Sequence, residues 1–366
     1  MTVYVVGAGM AGLSAAFRLV KNGQNVVVCE AAEKAGGRCA SFFDKTTGAV
    51  LDNGTHVLMS ANTALTGMLA ACDPRYPLKN AGDTLFIYDT AAKKRFSLST
   101  ATPVKSAFSF FKAKDLLVES VMDTPAGKAD KMMFFNTLFK CLHKNGGDFL
   151  LAEPSLYDCV VAPVVDFLTG NGVSFRFGHT LSTIFTDRLV FRNKTDVPLS
   201  KNDAVILALP AASLSRLIAG IPELPFSSIL NVHYRSDAVL PEKMAFCGLL
   251  NGFGHFVFAR AGVVSVTVSA ADGLLKKYSP SFIAGKIWSE IFPLLQTDGH
   301  VPVYRFIVNK RATLFQDKKT NAARFLTDIG AERLFLAGDA TETGLPCTVE
   351  GAVRAGFAAA DAVLTA

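Results

Sequence analysis

The chain has 366 residues, half of them hydrophobic, with a mean hydropathy of +0.31 and a formal net charge of +6. That length buries more than one core, yet no stretch approaches the ~18 uninterrupted apolar residues of a membrane-spanning helix. The mild positive charge is unclustered, which argues against a nucleic-acid partner. Seven cysteines (Cys29, Cys39, Cys72, Cys141, Cys159, Cys247 and Cys347) are an odd, scattered set without a CxxC pair. No disulfide framework and no metal site are expected, and a reducing cytoplasm fits best. Phe occurs 29 times against seven Tyr and one Trp. Phe brings no polar handle into a buried site, so the excess fits either a Phe-rich core or a dry tunnel for an apolar substrate.

The first residues, TVYVVGAGMAG, run from a strand at Val3–Val6 straight into a glycine turn, so no signal peptide is expected ahead of the fold. Gly7, Gly9 and Gly12 form GxGxxG, followed by a helix through about Lys21 and a strand from Asn25 to Cys29 that ends on Glu30. Gly7 permits the tight turn, Gly9 lets the backbone approach a pyrophosphate, and Gly12 lets helix and strand pack closely. The N–H groups around Met10 and Ala11 open the helix toward the phosphates. Glu30, with Ala31 beside it, is placed to accept hydrogen bonds from ribose hydroxyls, and its charge argues against a 2′-phosphate. The glycines could instead serve packing alone, but the flanking strand, helix and acid are the context the motif needs. Gly37 and Arg38 follow in EKAGGR, and Gly54, Thr55 and His56 stand at a turn after an apolar strand.

Two segments of the middle read as amphipathic helices. The stretch 128–144 spaces Met132, Phe135, Leu138, Phe139 and Leu142 at helical intervals, with Lys128, Lys131, Lys140 and Lys144 elsewhere; 106–122 is of the same kind. Such helices either lie on a membrane surface or pack their stripe on their own domain. A helix and a small β-meander over 160–209 follow. Residues 228–237 read as a strand on which Asn231, His233 and Arg235 share one face. That row could bind or protonate an oxygen, or could be a solvated face. Near the end, LFLAGDATETGLPCTVEGAVRAG is a strand, a Gly-Asp turn and an alanine-rich helix.

The run of GxGxxG, E-x5-GGR and DxGxH resembles the flavin amine oxidase and phytoene desaturase superfamily. Together with NVHYR, GVVSVTVSAADGLL, KRAT and the closing stretch, it resembles more narrowly the hydroxysqualene dehydroxylases. The resemblance implies an α/β fold: a discontinuous Rossmann-like FAD-binding domain (1–75, 156–215, 325–366) and an inserted α+β substrate domain (76–155, 216–324). It implies FAD held by the N-terminal motifs, with backbone near Leu181 at the adenine and Gly338-Asp339 at the ribityl–phosphate arm. Thr348, Val349 and Glu350 would then lie at the flavin edge, where a helix N-terminus favours negative charge.

The implied reaction replaces the hydroxyl of hydroxysqualene with hydride, in the supply of squalene for hopanoids. The partners would be an apolar C30 polyprenoid, an external electron donor and, through 106–144, a membrane surface, with the protein peripheral on its inner face. Because hydroxide leaves poorly, an acid is required; His56 is the first candidate and His233 or Arg235 the second. The alternatives are a phytoene-type desaturase, an amine oxidase and a flavin-binding protein without turnover. The loop at 344–348, with Leu345, Pro346 and Cys347 and no aromatic pair, disfavours the amine oxidase.

Overall fold

Val3 and Val5 point to one face of the first strand, Thr2–Val6, and both are fully buried; Val27 and Cys29 of the next strand, Asn25–Cys29, are buried on the other face. A strand buried on both faces belongs inside a parallel sheet. The computed structural model, which describes residues 1–75, 78–141, 146–241 and 244–366, contains that sheet. Its five parallel strands run in the order Ser174–Arg176, Asn25–Cys29, Thr2–Val6, Ala204–Leu207, Leu334–Leu336. The strands come from three separate stretches of chain, so the Rossmann-like unit is discontinuous.

Helices Met10–Lys21 and Val349–Thr365 cover one face side by side. Their closeness depends on Gly356, where an added Cβ would lie 2.1 Å from the Ala11 carbonyl oxygen. The other face is covered by a three-stranded antiparallel meander, Leu181–Ile184, Arg188–Phe191 and Asp196–Pro198.

The second unit is a seven-stranded mixed sheet in the order Tyr304–Leu314, Phe226–Arg235, Val263–Val268, Phe256–Arg260, Cys247–Leu250, Thr84–Asp89, Lys94–Ser99. Leu230, Val232 and Tyr234 send their side chains to the core beneath helix Pro280–Leu295, around Ile287, Trp288 and Ile291. Residues Asn231 and His233, offset by one, therefore face the other way. The hairpin Ser41–Asp44/Ala49–Asp52 meets that side through Asp52, which accepts from Arg260 at 2.6 Å.

The amphipathic segments form helices Pro103–Met122 and Lys131–Cys141. Leu142 and Lys144 lie outside the described residues. The apolar stripe of the second helix packs inward only at Leu138, which rests on the cluster around buried Met133 and Phe134, whereas Met132, Phe135 and Phe139 are exposed. Among the described residues no helix is long and apolar enough to cross a membrane.

Candidate functional site

The glycine turn leaves a space shaped for a ligand's backbone contact. Gly7 has φ of +107°, and a Cβ there would sit 2.4 Å from the Ala208 carbonyl oxygen. A Cβ on Gly12 would come within 1.9 Å of the Gly7 oxygen, so this helix can lie on its strand only with glycine. At Gly9, by contrast, a Cβ would meet nothing within 4 Å, so here the glycine keeps a surface open rather than relieving a clash. Gly9 is also the N-cap of helix Met10–Lys21, which has no side-chain cap and no acid in its first turn. Its free N–H groups and dipole suit an anion. Met10 and Ala11 are themselves buried in the core.

Glu30 stands at the mouth of this turn. Its carboxylate accepts from the Ala8 N–H at 2.6 Å and the Ala32 N–H at 2.8 Å, with Ala31 exposed between. The GGR extension touches the same turn. Gly36 donates to the Ala8 carbonyl at 2.8 Å, and a Cβ on Gly37 would lie 3.2 Å from Gly9 Cα. Arg38 then reaches across the chain, its Nη1 2.5 Å from Asp339 Oδ2 and 2.7 Å from the Ala312 carbonyl. Asp339 is buried and follows Gly338, whose φ of +130° makes the turn. One guanidinium thus joins the first motif, the last motif and the end of the second sheet.

Thr348 caps the final helix, accepting from the Gly351 N–H at 3.2 Å with Val349 as the first helical residue. Glu350 does something else. Its carboxylate accepts from the Ala64 and Leu65 N–H groups, both at 3.0 Å, and pairs with Arg354 at 2.7 Å. It caps helix Thr63–Cys72, so its side chain is committed to structure and only its backbone is free for a ligand. Leu181 is buried at the start of the meander. Burial pushes the Cys347 thiol up to about 12, with Asp339 reinforcing the shift, so it stays uncharged.

His56 and Asn231 flank Gly54. A Cβ on Gly54 would stand 3.4 Å from His56 Cε1 and 3.7 Å from Asn231 Nδ2. The loop between them is fixed at its root: Asp52 accepts from Arg260, Ser41 and Leu156, and Asn309 Nδ2 donates to the Asn53 carbonyl at 2.7 Å. His56 Nδ1 lies 2.5 Å from the Gly54 carbonyl, which can only accept, so Nδ1 carries the proton and Nε2 of the neutral ring is an acceptor. Burial lowers the pKa of this ring below its ordinary value, and the Gly54 hydrogen bond opposes that only in part.

His233 is buried behind this loop, with Nδ1 2.7 Å from Ser265 Oγ. Burial brings it down to about 4, so the neutral ring is favoured at physiological pH. Arg235, two residues on, is exposed at the strand's end and outside the buried pair. Asn231 Nδ2 and His233 Nε2 are both buried without a hydrogen-bond partner among the described residues, although Asn231 Oδ1 accepts from Thr267 at 2.8 Å. Across the sheet these two rows continue into aromatic ones: Asn231 pairs with Thr267 and then Phe256, His233 with Ser265 and then Phe258. Phe258 stacks on Phe246 at 5.7 Å, and Phe246 meets Phe149 edge-on at 5.2 Å.

Asn231 stands beside Gly54 and His56 although only its neighbour His233 stands out as an ionisable group; its alternation along the strand is the signal that finds it. The network beneath the 344–348 loop carries no such signal. There Arg324 donates to the Leu345 carbonyl and Gln316, and Gln316 accepts from the Cys347 N–H.

Residues 5–72 match a family described as NAD(P)-binding Rossmann-like domain, and residues 108–364 match flavin containing amine oxidoreductase. Over its whole length the chain is 32% identical to the hydroxysqualene dehydroxylase of Rhodopseudomonas palustris, covering 99% of that protein. It is 30% identical to that of Zymomonas mobilis, over 99% of each chain. Among solved structures, an oxidoreductase from Methanosarcina mazei superposes with a TM-score of 0.76 at 14% identity, over 99% of this chain and 100% of that one. A putrescine oxidase variant superposes with a TM-score of 0.69 at 17% identity, over 100% of both chains. The chain belongs to the flavin-containing amine oxidoreductases and, within them, to the hydroxysqualene dehydroxylase family.

Proposed function

We propose that the protein is an FAD-dependent enzyme that removes the hydroxyl of hydroxysqualene and delivers squalene. The observation that carries this reading is the whole-length similarity to dehydroxylases, joined to a buried polar pair beside a phenylalanine wall. The residues present fit FAD: Gly9 keeps its space open at an uncapped helix N-terminus, and Glu30, oriented by the Ala8 and Ala32 N–H groups and not buried like Glu350, keeps lone pairs on its carboxylate for ribose hydroxyls. Gly7, Gly9 and the N–H groups of Met10, Ala11 and Gly12 would hold the pyrophosphate. Glu30 would hold the ribose, and the backbone at Leu181 the adenine. Gly37, Arg38, Gly338 and Asp339 would close on the phosphate–ribityl arm, with Gly54, Thr55 and the backbone of Thr348–Glu350 at the flavin edge. When bound and reduced, FAD supplies the hydride.

The chain's own residues then supply what hydride transfer alone does not. Asn231 Nδ2, an unused donor, would hold the substrate oxygen against His56. His56 takes up a proton at Nε2, keeps Nδ1 fixed on the Gly54 carbonyl, and gives the Nε2 proton to the departing hydroxyl, which leaves as water. Phe246, Phe256 and Phe258 would line the path of the hydrocarbon and keep water from the developing cation. Such a substrate resides in lipid, so the enzyme would work as a cytoplasmic protein peripheral to a membrane. No second GxGxxG follows the first, so the reducing equivalents would come from an external donor.

The test is anaerobic addition of hydroxysqualene to chemically reduced protein. Squalene with stoichiometric flavin reoxidation is the expected result. No reaction, with oxidised flavin bleached instead by amines or by phytoene, would overturn the proposal.

A further inference from the structure

Fifteen large apolar side chains are exposed at the surface among the described residues, and six of them stand on two adjacent helices. Val104, Phe108 and Phe111 follow i, i+4, i+7 on helix Pro103–Met122; Met132, Phe135 and Phe139 follow i, i+3, i+7 on helix Lys131–Cys141. Each set forms one stripe. The helices are held together by a different surface, where Val118, Met122, Ala129, Met133 and Phe134 pack as one cluster. The outer stripes are therefore not needed to fold the pair. Phe108 is 72% exposed and Phe139 68%, a concentration that scattered surface residues do not produce.

Charge identifies what covers them. At 100° per residue, Lys105 and Lys112 flank the first stripe on one side and Lys114 on the other, while Lys131 and Lys140 flank the second. Lys128 precedes it. All six are exposed, against a single exposed carboxylate among the described residues of the pair, Asp115, which lies in line with the first stripe one turn beyond Phe111. Glu119 is half-buried beside His255, Asp123 is buried, and Asp130 is engaged by the Met132 and Met133 N–H groups and by Asn321. Lys112 Nζ rests 4.6 Å above the Phe108 ring, so an apolar body and a cation are presented together. Apolar stripes edged by lysines suit a headgroup layer, with rings in the acyl boundary and ammonium groups at phosphate level. A second copy of this face would bring like charges together.

We propose that the outer face of this helix pair docks on a bilayer surface that carries anionic phospholipid. The proposal rests on the dehydroxylase reading only for its purpose, the uptake of a lipid-borne substrate; docking is measured without substrate.

The FAD-loaded full chain is sedimented at low salt with vesicles of phosphatidylcholine alone or mixed with phosphatidylglycerol. Binding to the mixed vesicles and little to the neutral ones is expected. Lys112→Gln with Lys131→Gln should weaken it by about 25-fold, taking about fivefold per lysine. Phe108→Ser with Phe139→Ser should abolish it. Flavin absorbance shows that both variants remain folded, and turnover of substrate in detergent should be unchanged. No binding to either vesicle, or binding that neither variant alters, overturns the proposal. So does a dimer that the Phe variant dissolves, since a second copy would then cover the face. Vesicle binding by a protein that leaves hydroxysqualene unchanged would retain the surface and remove the proposed reaction.

Discussion

Gly9 and Gly12 belong to the same motif, yet substitution by alanine should fail for opposite reasons. At Gly12 the new Cβ would be 1.9 Å from the Gly7 oxygen and 3.0 Å from its carbonyl carbon, both backbone atoms. Neither can swing aside, so the helix must lift from the strand. Overpacking of this kind costs about 1–3 kcal/mol, or roughly 2–6 °C in the unfolding midpoint at about 2 °C per kcal/mol for a chain of this size. At Gly9 the backbone is extended, with φ of −73°, and the Cβ meets nothing within 4 Å. The FAD-free Gly9→Ala protein should therefore unfold within about 1 kcal/mol of the parent. Its methyl group would instead enter the space proposed for the pyrophosphate. Losing two charge-assisted hydrogen bonds at about 1.5–3 kcal/mol each predicts a Kd for FAD raised at least a hundredfold. The assay pairs thermal unfolding of the FAD-free proteins with FAD titration by flavin fluorescence. If Gly9→Ala binds FAD like the parent, the placement of the pyrophosphate on this turn is wrong; if Gly12→Ala unfolds at the parental midpoint, the close seating of the helix on its strand is wrong.

If His56 is the proton donor, its lowered pKa makes only a small fraction active at neutral pH. Single-turnover dehydroxylation should then slow about tenfold per unit as pH rises from about 7, and His56→Gln should be slow and lose that slope; a flat parental profile would remove His56 from the role. Asp339→Asn should release FAD by breaking the pair with Arg38. Arg38→Met should lower the unfolding midpoint as well, by less than the 3–5 kcal/mol of a fully buried pair because Arg38 is half-exposed; an unchanged Kd for FAD in both would exclude the pair from the site. His233 and His255 are both brought down to about 4 by burial. A lowered histidine lends stability that is complete above its unfolded value of about 6.5 and is lost as pH falls from there to about 4. The unfolding midpoint should fall across that window, and less steeply in His255→Gln.

The parallel unit was legible because its signals are local: strand, glycine turn, helix and acid follow within thirty residues, and Asn25–Cys29 forms the expected strand. Glu350 shows where local reading stops. Its place at a helix start suggests a flavin contact, but the partners that claim its carboxylate, the Ala64 and Leu65 N–H groups, are more than 280 residues away. The apolar stripes were equally visible as sequence, yet their direction was not. Periodicity fixes which residues share a face and leaves open what the face meets; here Met133 and Phe134 took the inward side. Arg38 was visible as a cation near the turn, while its reach to Ala312 and Asp339 depends on the second sheet.

Strand Phe226–Arg235 carries the sharpest contrast between stability and function. On its inner face Tyr234 is buried with its hydroxyl donating to the Ala284 carbonyl at 2.7 Å, so the polar atom there is satisfied. On its outer face Asn231 Nδ2 and His233 Nε2 are buried and unpaired among the described residues. An unmatched buried donor costs about 1–3 kcal/mol, and such costs collect where a ligand is to be met. Asn231→Leu removes the orphan donor while keeping the number and branching of the side-chain heavy atoms. Thr267 loses an acceptor but is only half-buried, so its hydroxyl can turn to water. The variant should unfold at or above the parental midpoint, by up to about 1 kcal/mol, while its dehydroxylation rate falls at least tenfold. A variant that is less stable and fully active would make Asn231 a structural residue, and the unpaired atoms of this strand would then need another explanation.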